Sequence, residues 1–136
     1  VGAAGDTKWS GMPAGTTMGH LHLHVGDLEG AAAFYSEALG YDRTVWEYPG
    51  ALFLSAGGYP HHLGTNTWAG AGAAPPPGDE AQLLEWTIEL PDDARVAGVA
   101  QQLTSRGYDV GAGPGTGAAG FVTRDPWGTA LRVRTR

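Results

Sequence analysis

The chain has 136 residues, which is enough for one domain with a single hydrophobic core. Its 14 acidic residues outnumber its 8 lysines and arginines, and the resulting net charge of −6 argues against a nucleic-acid or anionic-membrane surface. Because the chain contains no cysteine, disulfides and thiolate zinc sites are excluded, and any metal ion must be held by imidazole and carboxylate groups.

The first regular pattern follows residues 1–17, which lack periodicity and are expected to form an amino-terminal arm. A strand is predicted over residues 20–25, where polar and apolar side chains alternate. The alternation places the imidazoles of His20, His22 and His24 on one face of the strand and the apolar side chains on the other. Because neutral imidazole is the most common protein ligand for transition metals, this face is a candidate metal site.

A helix is predicted directly after this strand. Asp27 can cap its first turn, and Gly40 is placed to end it. Between them, apolar residues recur at helical spacing and predict the buried side: Leu28, Ala31, Ala32, Tyr35, Ala38 and Leu39. Three further strands are predicted, bounded by Gly- and Pro-containing turns, over residues 43–48, 51–56 and 61–68.

The same order of elements recurs in the second half of the chain. A strand over residues 85–90 precedes a helix that Asp92 caps and Gly107 ends. The buried side of that helix is predicted from Val96, Val99, Ala100 and Leu103. Three strands follow, a weak one around Val110 and two stronger ones over residues 120–124 and 129–135.

Both predicted helices end in the same tripeptide, Gly40-Tyr41-Asp42 in the first and Gly107-Tyr108-Asp109 in the second. We therefore interpret the chain as a duplication of a β-α-β-β-β module. The modules span residues 18–68 and 83–136 and together form a single domain, 18–136. Residues 69–82, rich in Gly, Ala and Pro, are predicted to be a semi-rigid surface linker between them.

Several motifs resemble a known family. The segments GHLHLHVGDLEGAAAFYSEALGYD and GFVTRDPWGTALRV, set in two βαβββ copies, resemble the vicinal oxygen chelate superfamily over residues 18–135. The segments WSGMPAGTTMGHLHLHVGDL and YPGALFLSAGGYPHHLGTNTW are similar to the carboxy-terminal half of bacterial catechol 2,3-dioxygenases. The resemblance implies an α+β fold in which the two βαβββ modules form a half-barrel around a central cavity.

The resemblance also implies where a site would lie. In members of this superfamily, the side chains that point into the cavity come from the first and last strand of each module. Those positions fall on His20, His62, Glu85 and Arg132. We prefer His62 to its neighbour His61, since strand alternation lets only one of them face the cavity. The three residues of this set that can ligate a metal are His20, His62 and Glu85. They suit a divalent ion, Fe(II) or Mn(II) first and Zn(II) as an alternative, with open positions for substrate oxygens.

Two positions depart from the family's metal-binding pattern. Glu85 stands where the dioxygenases carry their second histidine, and Arg132 replaces their carboxylate with a group that cannot ligate a metal. One interpretation keeps the metal, and His22 or Arg132 then stabilises negative charge on a substrate oxygen. The other is that Glu85 and Arg132 form an ion pair and no metal binds.

Three residues are predicted to contact a ligand. Trp46 and Trp86 could stack on a flat aromatic molecule, although core packing is the default for an aromatic side chain in a small β-rich domain. Asn66 could orient the ligand or close a turn.

Three functions remain open at this stage. The preferred one is a metal-binding, extradiol dioxygenase-like enzyme acting on a catechol or another small oxygenated aromatic. The alternatives are a non-catalytic ligand-sequestering protein of the bleomycin-resistance type and a structural half-module of a larger dioxygenase. We expect a homodimer with no nucleic-acid or membrane partner. Since no run of about 18 apolar residues and no signal-like segment occurs, we also expect a cytoplasmic protein.

Overall fold

A computed structural model describes residues 10–45, 47–115 and 119–136. Trp46 and the first nine residues of the predicted arm lie outside the described residues. The strands of the first module are β1 (Leu21–His24), β2 (Asp42–Val45), β3 (Ala51–Ser55) and β4 (Leu63–Asn66). Those of the second module are β5 (Glu85–Leu90), β6 (Phe121–Arg124) and β7 (Ala130–Thr135). Within these described segments, no helix is long and apolar enough to cross a membrane.

The helices begin and end where the sequence predicts. Helix α1 (Leu28–Ala31) is capped by Asp27, and a π-helix over Ala32–Ala38 extends it towards Gly40. Helix α2 (Asp93–Ser105) is capped by Asp92, whose side chain accepts a hydrogen bond from the Arg95 amide at 2.8 Å. After each helix the chain turns through a glycine in the left-handed region, with φ of 87° at Gly40 and 84° at Gly107. A side chain is disfavoured in that region, so these glycines end the helices.

The first helix does not keep α-helical geometry. From Ala32 to Ala38 it continues as a π-helix, and the Leu39 amide donates to the Phe34 carbonyl five residues earlier at 3.0 Å. Phe34 and Tyr35, on this segment, are fully buried. The π-helical segment therefore contributes two large aromatic side chains to the core.

Each module forms its own open sheet. In the first sheet the strand order is β1-β4-β3-β2, with β1 and β4 parallel; in the second it is β5-β7-β6, with β5 and β7 parallel. The duplication is therefore visible in the topology. The strand predicted around Val110 is wrong, because the described chain pairs there only through one bridge between Gly111 and Val122. Flexible glycines and Pro114, which has no amide hydrogen, disfavour a continuous ladder.

One face of each sheet packs against the helices and forms a common core. It includes Leu54 and Leu63 of the first sheet, Leu131 and Val133 of the second, and Leu103 of α2, all nearly or fully buried. Burial of this apolar surface supplies most of the driving force for the fold. The opposite, or outer, face of the first sheet carries His22, and that of the second carries Glu85 and Arg132.

The modules are also joined by a buried polar contact. The Tyr35 hydroxyl donates a hydrogen bond of 2.6 Å to the Asp125 carboxylate, which lies in the turn between β6 and β7. The second Asp125 oxygen accepts from the amides of Trp127 and Thr129, at 3.0 and 2.8 Å. Asp125 therefore fixes the shape of this turn and ties it to the first module.

Candidate functional site

The outer face of the second sheet carries an ion pair at the predicted metal positions. Arg132 donates from Nε to one Glu85 oxygen at 2.8 Å and from a terminal nitrogen to the other at 2.9 Å. The remaining terminal nitrogen donates to the Pro114 carbonyl. The hydrogen bond from Arg132 lowers the pKa of Glu85 from its usual value. Both carboxylate oxygens are thus occupied, as the ion-pair interpretation requires.

A second ion pair lies further along the same strands, and both of its hydrogen bonds go to one carboxylate oxygen. Glu89 on β5 is paired with Arg134 on β7 at 2.7 Å, and the two residues are aligned in the strand register. The side chain of Arg134 is 42% exposed, whereas that of Arg132 is 16% exposed. The Glu85–Arg132 pair is the better shielded of the two, so water screens it less.

The outer face of the first sheet is chemically different, because rings cover it. The His20 and His61 ring centroids are 4.8 Å apart, and His61 lies 5.1 Å from Phe53. His22 lies 5.5 Å from Trp68 and 6.1 Å from Phe53. We call this surface the aromatic face and define it by six residues: His20, His22, Tyr48, Phe53, His61 and Trp68.

His61, and not the preferred His62, is the ring in contact with His20. The Nδ1 atom of His62 accepts a hydrogen bond from the Ala56 amide at 3.3 Å and lies 3.2 Å from the Ser55 hydroxyl. Its ring also contacts Tyr59, with centroids 4.7 Å apart. Both histidines precede β4, which begins at Leu63, so strand alternation does not govern their directions.

The candidate ligand set does not fit a metal ion in this arrangement. Within the described part of the chain, no group of three or more His, Asp or Glu side chains is placed to hold one. His20 and His62 line a groove of about 450 Å³ between β1 and β5, together with Trp86. Glu85 does not line that groove, and Arg132 already engages its carboxylate.

Two of the predicted ligand-contacting residues, Asn66 and Trp86, lie in the described structure and also make contacts within the fold. Asn66 is buried, and its side-chain oxygen accepts from the Trp68 amide at 3.0 Å, which matches the turn-closing alternative. Trp86 is half-buried against the core and lies 6.4 Å from the Tyr35 ring. Its buried Nε1 has no hydrogen-bond partner among the described residues. Asn66 thus orients the start of the linker, while Trp86 forms part of the groove wall.

His22 connects the aromatic face to a larger cavity. Its ring lies over Gly64, where an added Cβ would come within 3.2 Å of the imidazole, so the absence of a side chain makes room for the ring. Burial, followed by the neighbouring imidazoles of His20, His24 and His61, lowers the pKa of His22. The lowered pKa favours the neutral imidazole, which can donate one hydrogen bond and accept another.

The sequence interpretation missed the part played by Phe53 and His61. Phe53 pairs with Gly64, and Gly64 pairs with His22, so the register of three strands brings these residues together on one face. Because alternate side chains of a strand share a face, the strand predicted over residues 51–56 was the available signal that Phe53 faces away from Leu52 and Leu54. The contact between His61 and His20 had no comparable signal, since it arises from irregular backbone.

Comparisons with known proteins agree with this architecture. The model of the Glyoxalase/Bleomycin resistance protein/Dioxygenase superfamily matches residues 17–133. A catechol-2,3-dioxygenase of Bacillus subtilis (strain 168) is 45% identical over 109 residues, which is 79% of this chain and 38% of that protein. The matched region thus spans well under half the length of this relative.

Solved structures of low sequence identity share the fold. A glyoxylase/bleomycin resistance protein/dioxygenase domain from Frankia sp. EAN1pec has a TM-score of 0.67 at 19% identity, covering 89% of this chain and 98% of that chain. Lactoylglutathione lyase from Agrobacterium tumefaciens has a TM-score of 0.63 at 21% identity, covering 90% and 94%. With the family match over most of its length, the chain belongs to the glyoxalase/bleomycin resistance protein/dioxygenase superfamily.

Proposed function

We propose that this chain is an aromatic-binding module of a ring-cleaving dioxygenase of the catechol-2,3-dioxygenase type, and that it does not itself hold the metal ion. The observation that carries this proposal is the paired contact between Arg132 and Glu85. A carboxylate held by a guanidinium through both oxygens is a poor metal ligand, because binding an ion there would leave a half-buried Arg without its partner.

The similarity to a much longer relative supports the role of a module. At 45% identity, the likeness to a catechol-2,3-dioxygenase favours the chemistry of oxygenated aromatics. The 38% share of the relative covered by the match leaves room in such a protein for a second module that carries a metal site. In this arrangement the present module contributes binding surface, and the reaction takes place elsewhere.

The aromatic face supplies a suitable surface for a flat ligand. Tyr48 and Trp68 are 51% and 57% exposed, so their rings are available for stacking. His20, His22 and His61 add imidazole groups that can exchange hydrogen bonds with phenolic hydroxyls. The module can therefore bind and orient an aromatic diol through ring stacking and hydrogen bonds.

Metal analysis tests the absence of a metal site. The chain, purified without chelators, is expected to contain much less than one equivalent of divalent metal, and added Fe(II), Mn(II) or Zn(II) is expected to leave its melting temperature unchanged. Catechol incubated with the isolated chain and Fe(II) or Mn(II) is expected to give no ring-cleavage product. Stoichiometric metal that is lost in His20→Ala would contradict the proposal and restore the metal-binding interpretation.

Ligand titration tests the aromatic face independently. Catechol binding, followed by chemical-shift changes in NMR, is expected to weaken several-fold in Trp68→Ala. Tyr59→Ala is the matched control, because Tyr59 is similarly exposed at 49% and contacts His62 outside the aromatic face. Equal affinities for both variants would argue against stacking on this face.

A further inference from the structure

A second, larger cavity lies beneath the linker between the modules. Its volume is about 770 Å³, which falls within the range typical of small-molecule sites. The floor is formed by His22, Leu23 and His24 of β1, and one wall is formed by the turn that contains Trp127. The linker supplies the other wall through Ala and Pro residues and Leu83. We call this space the linker cavity.

The walls of the linker cavity are held by specific contacts. The Gly72 amide donates a hydrogen bond of 2.7 Å to the Gly26 carbonyl, which fastens the linker to the end of β1. The Trp127 indole packs so closely on Gly26 that an added Cβ would lie 2.6 Å from its Nε1 atom. Asp125 fixes the backbone of the Trp127 turn through its two amide contacts. The cavity is therefore formed before any ligand arrives, which lowers the entropic cost of binding.

The lining is apolar except for a few hydrogen-bonding groups. Among the described residues that line the cavity there is no Asp, Glu, Lys or Arg. Hydrogen-bonding groups come from His22, His24, Gln82 and Thr129, while Ala, Pro and Leu side chains and the Trp127 indole cover most of the remainder. Such a lining disfavours a charged ligand, which would lose hydration without gaining a partner of opposite charge.

We propose that the linker cavity binds an uncharged aromatic molecule that carries a hydrogen-bonding group such as a hydroxyl. The rings would contact Trp127 and Leu83, and the hydroxyl would reach the imidazole edge of β1. This inference goes beyond the proposed function, because the cavity is separate from the aromatic face except for His22. It holds whether or not the chain works beside a metal-bearing module.

The first test compares three naphthalene derivatives by isothermal titration calorimetry. 2-Naphthol is uncharged and can donate and accept a hydrogen bond, 2-naphthoate is an anion of similar shape, and 2-methylnaphthalene has no hydrogen-bonding group. We expect 2-naphthol to bind at least about tenfold more tightly than 2-naphthoate and several-fold more tightly than 2-methylnaphthalene. Equal or tighter binding of the anion would overturn the proposal.

The second test locates the bound molecule in the unaltered protein. Intermolecular nuclear Overhauser effects are expected between 2-naphthol and the Leu83 methyl groups and the Trp127 indole. Contacts confined to Phe53 and Trp68 would place the molecule on the aromatic face and overturn the assignment to the linker cavity. This readout requires no substitution, so a folding defect cannot confuse it.

The third test fills the cavity. Ala74→Trp places a large side chain at a lining position and is expected to weaken 2-naphthol binding at least about tenfold by occupying the volume. Ala71→Trp is the matched control, because Ala71 lies in the same linker, is exposed and does not line the cavity. Equal binding by the two variants would overturn the proposal. The catechol titration of Trp68→Ala tests only the proposed function, whereas the 2-naphthol experiments test only the linker cavity. Either proposal can therefore fail without the other.

Discussion

The guanidinium of Arg132 lies side by side with the carboxylate of Glu85, with nitrogen–oxygen distances of 2.8 and 2.9 Å. The pair joins β5 to β7, and Arg132 extends the connection to the loop at Pro114. One cationic side chain therefore holds together two strands and a glycine-rich loop. A metal ion in a related site would need the same carboxylate, so the two uses of Glu85 exclude each other.

The ion pair makes stability depend on pH. Arg132 lowers the pKa of Glu85 in the folded protein, whereas the unfolded chain keeps an ordinary value of about 4.3. The stabilisation is therefore complete above the unfolded-state pKa and is lost as the pH falls through the lower folded-state pKa. We expect Glu85→Gln to reduce the free energy of unfolding at pH 7 and to flatten its pH dependence below about pH 4. Urea denaturation at a series of pH values measures both effects.

Glu89→Gln is the control for that experiment, because Glu89 has the same kind of partner on the same two strands. Its partner Arg134 is more exposed than Arg132, so we expect a smaller loss of stability at pH 7. If Glu89→Gln proved as destabilising as Glu85→Gln, the special role of the Arg132 contact would be excluded.

Replacing Arg132 tests whether the ion pair displaced a metal site. Arg132→Glu frees Glu85 and adds a second carboxylate on the neighbouring strand, so Mn(II) or Zn(II) affinity is expected to rise at least about tenfold. Arg134→Glu is the matched control, since it changes the charge by the same amount in the more exposed pair. Calorimetric titration of both variants, after circular dichroism has confirmed their folding, gives the comparison. A similar rise in metal affinity in both variants would be an effect of net charge alone and would contradict the prediction.

The buried hydrogen bond from Tyr35 to Asp125 is expected to matter for stability. Burial, and then the nearby Asp125 carboxylate, raise the pKa of Tyr35, so its hydroxyl stays protonated and donates. Tyr35→Phe removes this donor and is expected to lower the free energy of unfolding by about 1 to 3 kcal/mol. Tyr41→Phe is the control, because no hydrogen bond of its hydroxyl is found among the described residues. Urea denaturation measures the free energy of unfolding of both variants. Equal losses of stability in Tyr35→Phe and Tyr41→Phe would show that the Asp125 contact contributes little.

Local sequence rules predicted the helix ends. Asp27 and Asp92 cap the helices, and Gly40 and Gly107 end them. Helix caps and terminating glycines depend only on residues a few positions away in the chain, so the sequence predicts them. The duplication was predictable for the same reason. The π-helix over Ala32–Ala38 was not, since it depends on how the aromatic side chains pack in the assembled core.

The site was only partly predictable. The resemblance placed Glu85 and Arg132 near each other and left open whether they pair, which the distances now answer. The contact between His20 and His61 depends on irregular backbone ahead of β4, which alternation does not describe. The linker cavity depends on a hydrogen bond between Gly72 and Gly26, residues far apart in the chain, and no local pattern encodes such a contact.

The close approach of Trp127 to Gly26 gives the last prediction. In Gly26→Ala the new Cβ would lie 2.6 Å from the indole nitrogen, so the indole must move. Because overpacking of this kind costs about 1 to 3 kcal/mol, we expect a comparable loss in the free energy of unfolding. The shifted indole also deforms a wall of the linker cavity, so 2-naphthol binding should weaken in the same variant.

A second glycine separates this steric effect from the general effect of adding a methyl group. Gly98 lies in α2, is exposed, and has no atom within 4 Å of the position an added Cβ would take. Gly98→Ala should therefore stabilise the protein by about 0.5 to 1 kcal/mol, because alanine favours the helix, and should leave 2-naphthol binding unchanged. Opposite signs of the two stability changes are the expected result. If Gly26→Ala were as stable as the original protein and bound 2-naphthol equally well, the wall formed by Trp127 would not be the rigid element that the linker cavity requires.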